Sequence, residues 1–143
     1  MVLSFRLGKV PVRIAPSFFL MTALLGFGSI NDLQVLATWM LVVLASVLVH
    51  ELGHATMGLS LGLSPRIDLH GMGGTTSWAS QHPLSSARRI AISLAGPGFG
   101  FAAGGAVVLA KAAFGASVFP PTRMGGLVYD ALLEVNFGWG LLN

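Results

Sequence analysis

The sequence contains long stretches without a single Asp, Glu, Lys or Arg, and this limits the chain to surroundings that hold little water. Residues 90–110 are 21 consecutive uncharged residues, and residues 33–65 contain one charged side chain, Glu51. Only 9% of the chain is charged and 54% is hydrophobic, whereas a soluble domain carries about 25% charged residues. About 20 apolar residues in a helix span the ~30 Å hydrocarbon core of a bilayer. The pattern predicts a membrane protein and excludes a soluble monomer and a disordered chain.

Four apolar stretches predict four membrane-spanning helices. We place these spans at residues 15–31, 33–63, 90–111 and 124–143. The predicted fold class is an α-helical polytopic membrane protein that forms a single membrane-embedded domain over residues 1–143. Buried helices of a large soluble protein are the alternative, but charge is missing from every face of these stretches. At 1.5 Å per residue the second stretch measures about 46 Å, so it must tilt, protrude or break.

Two segments outside the spans have the period of β-strands. Apolar and polar side chains alternate along residues 3–14 and 67–70, and a glycine-rich turn separates the second segment from residues 75–78. Alternation predicts half-buried strands, and the second region predicts a hairpin. The fold class therefore includes a small β-hairpin or sheet on the cytoplasmic side of the membrane.

The distribution of Lys and Arg predicts the orientation in the membrane. With four spans, the N-terminus and the loop at residues 64–89 lie on the same side. That side carries six of the eight basic residues: Arg6, Lys9, Arg13, Arg66, Arg88 and Arg89. The positive-inside rule places both in the cytoplasm and predicts a multi-pass protein of the cell membrane. The lipid bilayer is an expected partner, and nucleic acid is not, because no basic cluster with interleaved aromatics occurs.

A cluster of ionisable residues, His50-Glu51-Leu52-Gly53-His54, interrupts the second span. His50 and His54 are four residues apart, so they project from one face of a helix, about 6 Å apart along its axis. Two imidazoles so placed supply half of a tetrahedral Zn²⁺ site, and Glu51 beside them suits a general base. The H-E-x-x-H spacing is a metallopeptidase signature.

The membrane setting favours a functional role for this cluster. An isolated ionised side chain in the bilayer costs at least about 2.5–3.5 kcal/mol, so ionisable residues in a span indicate a functional site by default. A structural polar cluster is the less favoured alternative. If the second span starts at the outer face, the motif lies about 28 Å along it, toward the cytoplasmic edge, where water can reach it.

A glycine repeat marks the third span. Gly96, Gly100 and Gly104 recur every four residues and so share one helix face. Small residues on one face allow helices to approach closely in lipid. We expect this stripe to serve packing and not chemistry.

Taken together, these motifs resemble those of the site-2 protease family of intramembrane zinc metalloproteases. The resemblance rests on HELGH at residues 50–54 and on further motifs in order along the chain: residues 10–19, Gly73-Gly74, Ala95-Gly96-Pro97 and NFGWGLLN at residues 136–143. It covers nearly the whole chain.

The resemblance implies an activity, a cofactor and a substrate class. His50 and His54 would bind Zn²⁺, Glu51 would be the catalytic carboxylate of a zinc metalloendopeptidase, and Gly73 and Gly74 would lie near the substrate. Substrates in this family are membrane-spanning proteins, cut within or beside the bilayer in regulated intramembrane proteolysis.

Two other functions compete with this interpretation. One is a non-catalytic membrane protein that binds partner helices in the same groove. The other, a metal transporter, is weaker because residues 14–31 and 90–110 contain neither a charged residue nor a histidine. No oligomeric state is predicted.

The third metal ligand is the main departure from the family pattern. Relatives carry it as an aspartate in a Pro-Leu-Asp-Gly stretch that follows a segment like residues 136–143, and this sequence stops at Asn143. We therefore expect a chain that is incomplete at its C-terminus, binds zinc weakly and is inactive on its own. Asp130 and Glu134, which share one face of the last span, are the acidic alternatives as ligands.

Overall fold

The structure, a computed structural model, describes residues 2–79 and 83–141. It is mostly helical, as the sequence predicts, and the predicted small sheet is a mixed sheet of four strands. The strands are β1 (Leu3–Leu7), β2 (Val10–Ile14), β3 (Pro65–His70) and β4 (Gly73–Trp78). The helices are α1 (Pro16–Leu25), α2 (Leu33–Ser60), α3 (Ser86–Phe114) and α4 (Arg123–Leu133).

Both segments with the strand period belong to this sheet, in the order β1-β2-β3-β4. β1 pairs antiparallel with β2, and Gly8 turns the chain between them with a φ of 58°, which a residue without a Cβ adopts freely. β3 and β4 form the predicted antiparallel hairpin. β2 pairs parallel with β3, and parallel strands need a long crossover. That crossover contains α1 and α2, so the sheet is tied to α2 along the chain.

Alternation along the strands buries one face of the sheet. Val12 and Ile67 are fully buried, and Leu69 is 1% exposed. The same core includes Ala55 of α2, and α2 contacts both β3 and β4. The apolar face of the sheet therefore packs against the C-terminal half of α2, which brings β4 beside the HELGH motif.

Two helices are long and apolar enough to cross a membrane: α2, and α3 together with its last turn. The predicted span at residues 33–63 begins at Leu33, where the Asp32 carboxylate accepts a hydrogen bond from the Val35 amide at 3.2 Å. It ends at Ser60, close to Gly62, whose φ is 80°. Helix α3 extends beyond the predicted span at residues 90–111 at both ends. Its N-terminus is set by Ser85, whose side chain accepts a hydrogen bond from the Arg88 amide.

The prediction of a first membrane span at residues 15–31 is wrong as a single helix. α1 has ten residues, and only a short 3₁₀ turn, Phe27–Ser29, follows it. Ten residues rise about 15 Å, half of a bilayer core. Gly26 caps the end of the helix, and its amide donates a hydrogen bond to the Thr22 carbonyl.

The predicted last span, residues 124–143, also differs from one regular α-helix. α4 ends at Leu133 and continues as a π-helical turn, Glu134–Gly138, and a 3₁₀ turn, Trp139–Leu141. Leu142 and Asn143, the end of the NFGWGLLN motif, lie outside the described residues. In the part of the chain that the structure describes, two helices rather than four pass the length and hydropathy test for a span.

Candidate metal and peptidase site

The two histidines of the HELGH motif meet on one face of α2. The Nε2 atoms of His50 and His54 lie 3.1 Å apart, and the ring centroids are separated by 4.9 Å. With Glu51 they form a group whose ligand atoms all lie within 4.8 Å of one another. Because residues four apart share a helix face, α2 alone is enough to bring these groups together.

A hydrogen bond to α3 sets the tautomer of His54. Its Nδ1 lies 2.7 Å from the carbonyl oxygen of Ile92. A carbonyl oxygen only accepts, so Nδ1 must carry the hydrogen, and in the neutral ring Nε2 then carries the lone pair. Metal-binding histidines are commonly oriented by a bond of this kind. The lone pair on His54 Nε2 therefore points toward His50 Nε2, from which it can accept a hydrogen bond.

Gly96 of α3 leaves the space in which the two imidazoles meet. A Cβ at this position would lie 2.8 Å from His50 Nε2 and would overlap the His54 ring. On α2, a Cβ at Gly53 would overlap the Ala95 carbonyl group. The two helices thus approach at backbone distance beside the histidines, and any larger side chain there would displace them.

The glycine stripe of α3 therefore serves more than packing. The sequence predicts only close helix contact for Gly96, Gly100 and Gly104. Gly104 fits that prediction, because a Cβ there would lie 2.7 Å from the Phe137 ring. Gly96 fits it as well, because a Cβ at Gly53 of α2 would lie 2.9 Å from Gly96 Cα, and Gly96 also borders the candidate metal ligands.

Glu51 is buried between α2 and β4, with 2% of its surface exposed. The Thr76 hydroxyl lies 2.7 Å from Oε2 of this carboxylate. Oε1 lies beside Gly74, where a Cβ would be 2.6 Å from it. Strand β4 therefore binds the carboxylate through the Thr76 hydroxyl. Gly74 on the same strand leaves room for the carboxylate because it has no side chain.

Two cavities meet at Glu51 and Gly74. The larger, about 460 Å³, has mostly apolar walls from α1, α2 and the π-helical turn, with His50 and Gly73 at its edge. The smaller, about 240 Å³, is lined by Glu51 and His54 together with polar residues of β4 and α3: Thr75, Thr76 and Ser93. The larger cavity has walls that suit an apolar peptide, and the smaller has walls that suit water. A hydrolytic site needs access for both.

Comparison with known proteins identifies this architecture. No family model matches the chain, and no curated protein matches it in sequence. The solved structure of a site-2 protease from Methanocaldococcus jannaschii does match, with a TM-score of 0.73 over 99% of this chain at 22% sequence identity. The chain has a site-2 protease fold. It spans 63% of the length of that archaeal chain.

Within the site-2 protease fold, the predicted site residues come from two elements. His50, Glu51 and His54 lie together on α2. Gly73, with a φ of 116°, turns the β3–β4 hairpin and lines the larger cavity, whereas Gly74 contacts Glu51. Both glycines thus line the larger cavity, and Gly74 also lies against the catalytic candidate.

The acidic alternatives of the last span do not join this group. Asp130 and Glu134 are both exposed. Among the residues described, the group of possible metal ligands consists of His50, Glu51 and His54. The alternative that Asp130 or Glu134 supplies the third ligand finds no support among the described residues.

Two further residues belong to the site: Thr76, which no motif marks, and Asn136, the first residue of the NFGWGLLN motif, for which the sequence predicts no role. Thr76 contacts Glu51 across 25 positions of sequence. Asn136, in the π-helical turn, is 3% exposed and lines the larger cavity. It donates to Ser46 Oγ at 2.9 Å and to the Leu132 carbonyl at 2.8 Å. The period of two along β4 puts Thr76 on the face of Gly74, but its contact with Glu51 depends on the packing of the sheet against α2.

Proposed function

We propose that this protein is an intramembrane zinc metalloendopeptidase that cleaves membrane-spanning protein substrates. The observation that carries the proposal is the meeting of the His50 and His54 Nε2 atoms at 3.1 Å beside a buried glutamate. This arrangement lies in an apolar helix at the wall of an apolar cavity. Ionisable groups in such a place indicate function.

The donor set fits zinc. Two nitrogens bound to a tetrahedral Zn²⁺ at about 2.0–2.1 Å lie about 3.3 Å apart, close to the observed 3.1 Å. Gly96 leaves the space that the ligands need, and the bond from His54 to Ile92 orients one of them. When bound, zinc would act as a Lewis acid toward water and the peptide carbonyl. His50 and His54 would hold it.

Glu51 would act as the general base and acid. Its carboxylate takes a proton from the attacking water and returns it to the amine nitrogen as the C–N bond of the substrate breaks. Burial between α2 and β4 keeps the carboxylate in one place, so the proton moves between fixed atoms. The polar smaller cavity reaches this side chain and would supply the water.

The substrate would enter through the larger cavity in an extended form. A transmembrane helix hides its peptide groups in its own hydrogen bonds, so the segment to be cut must unwind. β4 ends the sheet, so one of its edges lacks a neighbouring strand within the described chain. An extended peptide could pair with such an edge, and Gly73 and Gly74 lie at the place where it would pass.

The membrane topology belongs to the same proposal. α2 and α3 would cross the bilayer, and the helical segment from α4 to Leu141, about 28 Å long, would cross it again. α1 and the 3₁₀ turn would carry the chain across beside α2, because Ser17 at the start of α1 contacts Gly71 of the hairpin and Thr22 accepts a hydrogen bond from Trp39 near the start of α2. The N-terminal strands and the β3–β4 hairpin would lie on the cytoplasmic side, where six of the eight basic residues are found. Regulated proteolysis of membrane-tethered proteins would be the setting of this activity.

Metal content and cleavage measured together test the proposal. The complete translation product, in liposomes with zinc, should cut a membrane-spanning reporter. Glu51→Gln should abolish cleavage and retain zinc, whereas His54→Ala should lose both. Cleavage by Glu51→Gln at the parental rate would reject the peptidase and favour a protein that binds partner helices without cutting them.

A further inference from the structure

The hydroxyl of Thr76 contacts Glu51 at two atoms. Oγ1 lies 2.7 Å from the carboxylate Oε2 and 3.1 Å from the Glu51 carbonyl oxygen. A threonine hydroxyl has one proton to donate. The distance to Oε2 is at the usual value for an O–H···O bond and the distance to the carbonyl is longer, so the proton goes to Oε2.

The β3–β4 ladder holds Thr76 at this point. Its backbone pairs with Ile67, which is fully buried in the core. Gly74, two residues earlier on the same face of β4, borders the other carboxylate oxygen, Oε1. Successive positions on one strand face therefore differ toward the two oxygens: Thr76 donates its hydroxyl to Oε2, whereas Gly74 has no side chain to offer Oε1.

We propose that Thr76 is a positioning residue for Glu51. Its hydroxyl holds Oε2, so that Oε1 is the oxygen that exchanges a proton with water. In the reaction, Oε1 takes one proton from the water that attacks the peptide carbonyl. It then passes this proton to the nitrogen released when the C–N bond breaks. The inference rests on the proposed function, in which Glu51 is the general base.

A spectroscopic test addresses the contact without any need for activity. The chain has two glutamates, Glu51 and Glu134, so Glu134→Gln protein grown with ¹³C-carboxyl glutamate carries one labelled carboxyl group. In this background, Thr76→Val should shift the infrared band of Glu51, because the variant keeps the shape of threonine and lacks the hydroxyl. Thr76→Ser should keep the parental frequency.

Thr38→Val is the matched control for this substitution. Thr38 lies on α2, about 20 Å along the helix from Glu51, and its hydroxyl donates to the Gln34 carbonyl at 2.8 Å. The control should leave the Glu51 band unmoved. If Thr76→Val lowers the melting temperature, Thr76→Ala replaces it as the variant without a hydroxyl. An unmoved band in the variant without the hydroxyl, or a shifted band in Thr76→Ser, overturns the proposal.

Kinetics of the complete protein test the consequence for catalysis. Loss of a hydrogen bond to a charged group should lower kcat about tenfold to a hundredfold and leave KM unchanged, and serine should restore kcat. A raised KM with kcat unchanged would make Thr76 a substrate-binding residue and overturn positioning. A band shift in a protein that cuts no membrane-spanning substrate would reject the proposed function while supporting the contact.

Discussion

The substitution Gly96→Ala tests whether α3 makes the space in which His50 and His54 meet. The added Cβ would lie 2.8 Å from His50 Nε2, whereas ordinary contacts begin at 3.4 Å. The His50 ring would therefore have to retreat by about 0.6 Å, and the His54 ring would be displaced as well.

A displacement of this size exceeds what a zinc site accepts. Distances from ligand to metal hold to within about 0.2 Å in well-formed sites. We expect zinc affinity to fall at least about tenfold, as for other changes that disturb the orientation of a ligand. Overpacking should also lower the free energy of unfolding by about 1–3 kcal/mol.

Zinc affinity is measured by competition with a chromophoric chelator, and stability by thermal melting in the same detergent. Gly105→Ala is the matched control. Gly105 lies on the same helix as Gly96, and a Cβ there meets no atom within 4 Å. This variant should bind zinc as the parent does and should be more stable by up to about 1 kcal/mol, since alanine favours the helix. Parental zinc affinity in Gly96→Ala would refute this view of how the ligands are accommodated.

Three further predictions concern stability, each measured by thermal melting. Asp32→Ala should cost about 1 kcal/mol more than Arg123→Gln, because it removes the cap of α2 as well as their exposed ion pair; equal costs would contradict the capping role. Gly53→Ala, whose Cβ overlaps the Ala95 carbonyl group, should destabilise the protein, whereas Gly98→Ala meets open space; equal melting temperatures would contradict backbone contact between α2 and α3. Zinc at a hundred times its dissociation constant should add about 2.7 kcal/mol, and a protein whose stability is insensitive to zinc would lack the site.

Local periodicity was sufficient to predict the chemical core of the site. The spacing of His50, Glu51 and His54 acts within one helix, so the geometry follows from 3.6 residues per turn. The strands at residues 3–14 and 67–78 were found for the same reason, since alternation is a property of neighbouring residues. The ligand roles of the histidines stay predictions.

Hydropathy did not predict the break in the segment at residues 15–31, because hydropathy reports the surroundings of a residue and not the length of its helix. Residues 15–31 are apolar, yet α1 stops at Leu25. Phe18, Met21 and Leu25 line the larger cavity, so their apolar character fits a groove wall as well as a membrane span. Composition does not distinguish a residue that lines a groove from one that faces lipid in a membrane span.

Thr76 and Gly96 could not be assigned from sequence because their roles depend on contacts between elements. Thr76 reaches Glu51 only because β4 pairs with β3 in one register and the sheet packs on α2. Gly96 borders the histidines only because α3 crosses α2 at Gly53. Neither contact follows from the residues next to these positions.

The division of space around Glu51 has a consequence for inhibitor design. One cavity is wide and apolar, and the other is narrow and polar, so two chemically different compounds could reach the same carboxylate from opposite sides. A lipophilic peptide mimic would partition into the bilayer before it binds, and its potency would depend on membrane composition. A small hydrophilic chelator would arrive from the aqueous phase, and its potency would not. Compounds that join the two chemistries across Gly74 would occupy both cavities at once.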